Sequence, residues 1–450
     1  MRIHLIACGG AVMHNMAIAL HKKGHQVTGS DDVIFDPAKS RLERLGLLPT
    51  TVGWNAENIT SDIEAVILGM HAKADNPELL KAQELGIKIY SFPEFLYEQS
   101  REKTRVVVAG SHGKTTITSM VMYALRKSGV DFDYMVGSSV DGFEDSVRLS
   151  DAPIIILEGD EYLTSPIDRR PKFIWYKPHV LLVSGIAWDH VNVFPSLEEY
   201  HQQFEMLLEQ QNSGALVYYV NDPVLDKMAS GLFKPDLFIK PYTTPEYSIE
   251  NGQTIINHDG IKTPLEIIGQ HNLENLEGAR LVCEELGVDA LKFFKNMQDF
   301  TGAGRRLEVL KTFKNGIVYK DFAHSPSKVK ASTNAVASQF KNYETVAVLE
   351  LHTFSSLTKS FLPEYAGCLD AAQKPAVFVN PETLKRKGNL AFTAQEIRQY
   401  FKNDDIEFFD SPQVLKDWII EQGIDKKALL LMSSGNFGGI DFDQVLESLN

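Results

Sequence analysis

One short segment of the chain combines residue types that bind phosphate groups. It reads Arg-Val-Val-Val-Ala and then Gly110, Ser111, His112, Gly113, Lys114, Thr115 and Thr116. The apolar run before the glycines and the helix-like run after them give the order strand, loop, helix. Glycines let a loop aim its N–H groups at phosphate oxygens, and a helix N-terminus adds positive potential. Lys114 supplies a charge and Thr115 a hydroxyl for Mg²⁺, so the pattern predicts an ATP site.

The spacing of the two glycines leaves another interpretation open. The standard phosphate loop has four residues between its glycines, whereas only Ser111 and His112 intervene here. A turn between a strand and a helix that carries Gly-Lys-Thr by chance would show the same letters. Strand, glycines, lysine, hydroxyl and helix all occur in the required order, and this order favours the phosphate loop.

A group of carboxylates follows another apolar strand. Ile154 to Leu157 predicts a short buried strand, and Glu158, Asp160 and Glu161 come at its end. In a parallel sheet, ligands collect at the carboxyl ends of the strands. Carboxylates so close in sequence repel one another unless a cation or a lysine lies among them. We therefore expect a Mg²⁺ site beside the phosphate loop, with an exposed acidic turn as the alternative.

Further polar residues follow other predicted elements. Val180 to Val183 leads to Asp189-His190, where an imidazole would bind a second cation or orient a carboxylate. Asn272 and Asn275 lie one helical turn apart, a spacing suited to reading a purine edge, although helix capping explains either asparagine equally well. Arg306 lies in a glycine-containing linker, where its guanidinium fork suits phosphate.

The start of the chain has the pattern of a second nucleotide-binding element. The strand Ile3 to Ala7, a turn with Gly9 and Gly10, a helix and a second strand ending before Asp31 form a βαβ opening. The glycine pattern of a dinucleotide fingerprint is incomplete there. His71 follows a later strand and is either a ligand contact or an ordinary loop histidine.

Composition limits the class of protein. The chain has 450 residues, of which 44% are hydrophobic and 23% charged, and its net charge is −14. This length predicts two or three domains, and the acidic balance argues against an extended nucleic-acid surface. The three cysteines lie far apart without metal-ligand spacing, and no apolar run approaches the roughly 20 residues that cross a bilayer. We expect a cytoplasmic protein without membrane insertion or a nucleic-acid partner.

Taken together, these motifs resemble those of the Mur ligases, which join an amino acid or peptide to a UDP-linked muramic acid through an amide bond. The matching elements occur in the family's order: a glycine turn near the start, residues 110–116, residues 158–161, Asp189-His190, His271-Asn272 with Asn275, Arg305-Arg306, and residues 321–326. The resemblance implies an α/β fold in three domains. These are a Rossmann-like UDP-sugar-binding domain (1–102), a central P-loop ATP-binding domain (103–302) and an α/β C-terminal ligase domain (303–450).

The resemblance also implies roles for individual residues. Lys114 would hold the β- and γ-phosphates, Thr115 and Glu158 would bind one Mg²⁺, and His190 would help to hold a second. With ATP and Mg²⁺ as cofactors, the expected catalytic residues are Lys114, Glu158, His190 and Arg306. Contacts to ATP are expected from residues 110–116, Asn272, Asn275, Arg306 and Asp321. Contacts to the other substrates are expected from Gly9, Gly10, Asp31, His71, His324 and Asn436.

Within the family, the motif variants are most similar to those of a peptidoglycan-recycling branch. That branch joins L-Ala-γ-D-Glu-meso-diaminopimelate to UDP-N-acetylmuramate through an acyl phosphate, and the near alternative adds L-alanine to the same sugar nucleotide in peptidoglycan synthesis. The loop Glu350 to Phe354 lacks the arginine found nearby in both kinds of relative, and Phe204 and Glu205 stand where several other members carry a carbamylated lysine. The expected partners are UDP-N-acetylmuramate and a peptide or amino acid acceptor, for a protein that is a monomer or weak dimer.

Two other classes of function stay open from the sequence. An oxidoreductase would bind NAD at the βαβ opening with Asp31 on the ribose, but it would leave Lys114 and Glu158 without a role. A nucleotide-binding regulator with the fold but no ligase activity would keep the same motifs. Retention of every phosphate-site residue type argues against a regulator, and an assay separates it from an enzyme.

Overall fold

The computed structural model describes residues 1–138, 140, 142–188, 193–302, 304, 306–387 and 391–449, with the backbone alone at 386 and 387. The chain divides into two compact units, residues 1–243 with 274–297 and residues 244–273 with 298–450. Both units are layered α/β structures built mainly on parallel sheets, so the predicted fold class is confirmed.

A four-stranded parallel sheet begins the first unit. Its strands, in the order β2-β1-β3-β4, are β1 (Arg2–Ile6), β2 (Gln26–Ser30), β3 (Ala65–Leu68) and β4 (Lys88–Ser91). Every residue of β3 is buried, as expected for an inner strand covered on both faces. The helices between and after the strands are α1 (Ala11–Lys22), α2 (Ala38–Arg44), α3 (Pro77–Glu84) and α4 (Phe92–Gln99).

A seven-stranded sheet, in the order β13-β12-β11-β5-β8-β6-β7, forms the rest of the first unit. The strands are β5 (Thr104–Ala109), β6 (Asp133–Met135), β7 (Val147–Arg148), β8 (Ile154–Gly159), β11 (Val180–Val183), β12 (Ser213–Tyr219) and β13 (Asp236–Tyr242), with a separate hairpin of β9 (Leu163–Ser165) and β10 (Asp168–Pro171). Only β7 runs antiparallel to its neighbour in this sheet. The helices are α5 (Lys114–Lys127), α6 (Leu197–Gln210), α7 (Pro223–Ser230), α8 (Gln270–Glu285), whose start belongs to the second unit, and α9 (Ala290–Met297).

The second unit contains a small antiparallel sheet and a larger mixed one. The small sheet joins β14 (Tyr247–Glu250), β15 (Gln253–His258) and β16 (Ile261–Leu265). The larger sheet, in the order β17-β18-β22-β19-β20-β21, joins β17 (Glu308–Phe313), β18 (Gly316–Asp321), β19 (Glu344–Glu350), β20 (Lys374–Phe378), β21 (Glu407–Phe409) and β22 (Lys427–Met432). Its helices are α10 (Pro326–Gln339), α11 (Pro381–Lys387), α12 (Ala394–Phe401), α13 (Pro412–Gln422) and α14 (Phe442–Ser448).

Short 3₁₀ helices connect several of these elements. They cover Ala56–Asn58, Lys172–Trp175, Ser355–Leu357, Leu362–Tyr365 and Phe437–Gly439. Over the described residues, the structure has no helix with the length and apolar character that a membrane span requires.

Candidate functional site

The loop between β5 and α5 depends on its two glycines. Gly110 has a φ of 128° and Gly113 a φ of 78°, both in the left-handed region that side chains disfavour. A Cβ at Gly110 would collide with Ser184, and one at Gly113 would collide with the side-chain oxygen of Asn275. The loop is also fastened to the end of β11, because the Ser111 N–H donates to the Gly185 carbonyl at 2.9 Å. Sequence and packing therefore hold an open backbone cradle at the start of α5.

Lys114 lies inside this cradle and has a buried counter-ion. Its Nζ is 2.8 Å from the Oε2 of Glu161, which is fully buried, and it donates to the Gly110 carbonyl at 2.6 Å. The Tyr200 hydroxyl donates to the other oxygen of Glu161 at 3.2 Å. Burial alone would lower the pKa of Lys114, but the charges of the nearby carboxylates outweigh it and raise that pKa. The loop therefore presents a cation at the point where strand becomes helix.

Thr115 and Glu158 supply neighbouring oxygens beside Lys114. The Thr115 hydroxyl donates to Glu158 Oε1 at 2.8 Å, and the Gly137 N–H donates to Oε2 at 2.9 Å. A hydroxyl next to a carboxylate is a donor set that Mg²⁺ accepts, so these residues fit the ion expected beside a phosphate loop. Among the described residues, no three His, Cys, Asp or Glu side chains are grouped to hold a metal. An ion here would take its remaining ligands from phosphate and water.

The other two carboxylates of the acidic segment have lysine partners. Asp160 Oδ2 lies 2.6 Å from the Nζ of Lys172, and Glu161 pairs with Lys114. From the sequence we expected a cation or a lysine to balance the charges of this cluster. In the structure, lysines pair with two of its three carboxylates. Glu158 is left as the carboxylate that faces the Thr115 hydroxyl.

Asn275 lies beside the phosphate loop, where a Cβ added at Gly113 would collide with its side chain. Asp189, His190 and Arg305 lie outside the described residues, so the role expected of His190 stays a prediction. At the position matched to the family's carbamylated lysine, Phe204 is fully buried and packs on Phe173 and Tyr200, with ring centroids 5.4 and 5.3 Å away.

The glycine turn after β1 is held by Asp31. The Gly9 N–H donates to Asp31 Oδ2 at 2.7 Å, and the Asp32 N–H donates to Oδ1 at 2.9 Å. Asp31 is 4% exposed, and burial raises the pKa of its carboxyl. In the structure, these hydrogen bonds of Asp31 fix the turn. Gly10 and His71 are exposed at the carboxyl end of the same sheet. Contacts of these residues to a substrate stay a prediction.

In the second unit, Asp321 ends β18 and is buried. The Ser332 hydroxyl donates to it, and burial raises the pKa of Asp321 although Ser332 and the charge of Arg306 act in the opposite direction.

His324 Nδ1 lies 2.7 Å from the Phe322 carbonyl, and Asn436 is exposed. Asn272 donates through Nδ2 to the Ile268 carbonyl at 2.9 Å, so this amide closes the start of α8. The contacts that Asp321, Asn272, His324 and Asn436 are expected to make with ATP and substrate stay predictions.

Sequence reasoning did not single out Glu350 as a polar centre of the second unit. This carboxylate ends β19, is 1% exposed, and accepts from the Ser433 hydroxyl and from the Phe437 N–H at 2.7 Å. It therefore shapes the glycine-containing loop after β22 (residues 433–439), which includes Asn436, one of the residues expected to contact substrate. The available signal was a carboxylate after an apolar strand, the same pattern that drew attention to Glu158.

Two family models match the chain over most of its first two sheets. The Mur ligase family catalytic domain matches residues 2–104, and the Mur ligase middle domain matches residues 108–283. The chain belongs to the Mur ligase family. Members of this family are ATP-dependent, ADP-forming amide ligases, which agrees with the cation, hydroxyl and carboxylate found at the loop before α5.

Relatives of this Mur ligase carry two different names. The chain is 28% identical to UDP-N-acetylmuramate–L-alanyl-γ-D-glutamyl-meso-2,6-diaminoheptandioate ligase of Haemophilus influenzae, with 99% of each chain covered. It is 29% identical to UDP-N-acetylmuramate–L-alanine ligase of a Sulfurihydrogenibium species, over 89% of this chain and 88% of the relative. The fold is similar to that of UDP-N-acetylmuramate–alanine ligase of Thermotoga maritima, with a TM-score of 0.70, 21% identity and coverage of 100% of this chain and 98% of that one.

Substituting Gly113 with alanine tests the cradle of this Mur ligase. The new Cβ would displace Asn275, so we expect ATP affinity, measured by calorimetry, to fall about tenfold, the size of one lost hydrogen bond to a charged group. Gly129→Ala is the matched control, because Gly129 has a φ of 75° against 78° at Gly113 and no atom within 4 Å of the added Cβ. Both variants lose about 1 kcal/mol of stability to backbone strain. Equal ATP affinity in the two variants would contradict a cradle at Gly113.

Proposed function

We propose that this Mur ligase joins L-Ala-γ-D-Glu-meso-diaminopimelate to UDP-N-acetylmuramate in the cytoplasm, with consumption of ATP in the presence of Mg²⁺. The observation that carries the proposal is the cluster at the start of α5. There, Lys114 and Thr115 face Glu161 and Glu158, at 2.8 Å in each case. A site of this kind balances phosphate charge, and amide formation from a carboxylate requires that balance.

Each residue at this site would have a separate role in activating a carboxylate. ATP supplies the phosphoryl group that converts the muramate carboxylate to an acyl phosphate, and the acceptor amine then displaces phosphate. Lys114 would neutralise the γ-phosphate as the carboxylate approaches it. Thr115 and Glu158 would hold Mg²⁺, which would supply further positive charge for the phosphate groups. The roles expected of His190 as a metal ligand and of Arg306 as a cation stay predictions.

We favour the tripeptide as the acceptor. The stretch after β19, residues 351–356, contains no lysine or arginine to pair with the single carboxylate of L-alanine. A longer acceptor spreads its recognition over more contacts, so one absent charge costs it less. The loop at residues 433–439, shaped by Glu350, exposes Asn436 for such an extended chain. The Haemophilus influenzae relative that carries the tripeptide in its name supports the same choice.

L-Alanine is the second candidate acceptor. It is favoured by the relatives named as L-alanine ligases, whose identity to this chain is as high as that of the tripeptide ligases. The sugar nucleotide, the cation site and the activation step are the same for both acceptors, so the two candidates differ only in the amine.

The acceptor is tested by offering both amines to one enzyme. The protein is incubated with ATP, Mg²⁺ and UDP-N-acetylmuramate, and L-alanine and the tripeptide are added separately and then together. We expect the mass of the tripeptide adduct and little or no alanine adduct. An alanine adduct alone would overturn the acceptor and keep the ligase. Absence of adduct with either amine, in the presence of ATP binding, would favour the non-catalytic regulator.

A further inference from the structure

A second cavity of this enzyme lies at the opposite end of the central sheet from the phosphate loop. Its volume is about 540 Å³, and its walls include Arg105 in β5, His179 just before β11 and Ser213 at the start of β12. These are the amino ends of three neighbouring parallel strands. The phosphate loop follows the carboxyl end of β5, about 17 Å along the strand. A volume of this size is typical of small-molecule pockets.

The lining of this cavity is cationic although the protein is acidic. Arg105, Arg170 and Lys177 line it together with His179, and its lining within the described ranges includes no aspartate or glutamate. The whole chain has 59 acidic residues against 45 basic ones, so a lining without acids departs from the average surface. Arg170 is neutralised by Asp168, to which it binds through Nε at 3.0 Å and Nη2 at 2.9 Å. In the described part of the chain, Arg105 and Lys177 are the lining cations without a carboxylate partner, and both lie over the ring of Tyr97, 5.2 and 4.7 Å from its centroid.

Arg105 is a buried cation held by carbonyl groups. It is 7% exposed, and its guanidinium donates to the carbonyls of Tyr176 and Lys177 at 2.9 and 3.0 Å. Among the described residues, no carboxylate forms an ion pair with Arg105 or Lys177, and Glu102 acts on Arg105 only beyond that distance. Burying a charge without a counter-ion is costly. An anion in the cavity would supply the missing charge.

The other donors are oriented by Arg105. Lys177 has a φ of 43°, in the left-handed region, and its carbonyl accepts from Arg105 Nε. His179 Nδ1 accepts from the Arg105 N–H at 3.0 Å, so the neutral ring carries its proton on Nε2. The exposed Lys177 ammonium and the His179 Nε2–H are thus both donors. Gln210 and Gln211 also line the cavity. Each amide donates one N–H to a carbonyl, that of Ile174 at 3.0 Å and that of Ser213 at 2.7 Å, and has a second N–H for a ligand.

We propose that this cavity binds a small organic anion through a phosphate or carboxylate group, at a site separate from the one at the phosphate loop. Arg105 and Lys177 provide the charge, and His179 and the glutamine amides fix the orientation. Occupation of this site is independent of which acceptor the enzyme uses.

Trp175 lines the cavity and gives a local signal for the test. In full-length protein with Trp54, Trp188 and Trp418 changed to Phe, Trp175 is the only tryptophan, and a non-hydrolysable ATP analogue with Mg²⁺ occupies the phosphate loop. With selective tryptophan excitation, we expect the ratio of iodide to caesium quenching to be several-fold higher for Trp175 than for free N-acetyltryptophanamide, because an electropositive cavity concentrates anions. Inorganic phosphate and citrate are then titrated as competitors of iodide. The competitor that binds more tightly shows whether the site prefers a phosphate or a carboxylate group.

The variant that tests the site is Lys177→Gln, with Lys227→Gln as the matched control on the exposed side of α7. Arg105 is left unchanged because it ties several backbone carbonyls together. We expect Lys177→Gln to weaken phosphate or citrate binding about tenfold, the effect of losing one charge-assisted hydrogen bond, and Lys227→Gln to leave it unchanged. An iodide-to-caesium quenching ratio no higher than that of N-acetyltryptophanamide, or equal anion binding in both variants, would overturn the proposal.

Discussion

Replacing Lys114 with alanine is expected to lower ATP-dependent phosphate release by at least about a hundredfold, the size of effect seen when one group that stabilises transition-state charge is lost. Lys114 brings the positive charge closest to the phosphate cradle, at 2.6 Å from the Gly110 carbonyl. The substitution also leaves Glu161 buried without its cation, which costs about 3 kcal/mol or more of stability. Turnover must therefore be measured per folded molecule, with urea unfolding on the same preparation.

Lys103→Ala separates chemistry from stability in that experiment. Lys103 is 10% exposed and lies 2.8 Å from the fully buried carboxylate of Asp133, whereas Lys114 is 13% exposed and lies 2.8 Å from Glu161. The two ion pairs are thus matched in burial and length, but Lys103 lies just before the amino end of β5. We expect Lys103→Ala to lose stability and keep its turnover per folded molecule. If both variants lose turnover equally, Lys114 has no special role in the reaction.

Replacing Glu158 with glutamine should raise the Mg²⁺ concentration for half-maximal activity about tenfold and lower the maximal rate by about a hundredfold. Glu158 accepts from the Thr115 hydroxyl and from the Gly137 N–H, so its carboxylate is already held where a Mg²⁺ ligand is needed. Glutamine keeps the shape but removes the charge that attracts the ion. The measurement is a Mg²⁺ titration of phosphate release at saturating ATP.

Asp160→Asn is the control for the Mg²⁺ titration. Asp160 lies two positions further along the same acidic segment, but its carboxylate pairs with Lys172 at 2.6 Å instead of facing Thr115. We expect its Mg²⁺ midpoint to stay within about twofold of the unmodified enzyme, because a partly exposed ion pair contributes little. If the Mg²⁺ concentration for half-maximal activity of Glu158→Gln is as low as that of Asp160→Asn, then Glu158 is not a Mg²⁺ ligand.

Much of the fold followed from local patterns in the sequence. The strand predicted at Val180 to Val183 has those bounds in the structure, and the strand predicted at Ile154 to Leu157 forms the first part of β8 (Ile154–Gly159). Such strands are covered on both faces, so every residue is apolar and the run is easy to recognise. The antiparallel strands β14 to β16 were not predicted, because their exposed faces mix polar and apolar residues.

The sequence by itself determined the chemistry available at the phosphate loop. Gly110, Gly113, Lys114 and Thr115 are consecutive or nearly so, and a loop between a buried strand and a helix has few ways to arrange them. The family followed from the same kind of information, because its motifs are short runs of residue types that occur in a fixed order along the chain.

The tertiary structure decided which partner each charged group has. Lys114 and Glu161 are 47 positions apart, Lys172 and Asp160 are 12 apart, and Glu350 and Ser433 are 83 apart. No local pattern fixes such pairs, because they depend on which strands become neighbours in the sheet. The cationic cavity arises in the same way, from the amino ends of β5, β11 and β12, which meet only when the chain has folded. Local sequence specifies which residue types are present and where the chain turns. Burial and the order of the strands decide which charged side chains become partners, and so what each of them can do.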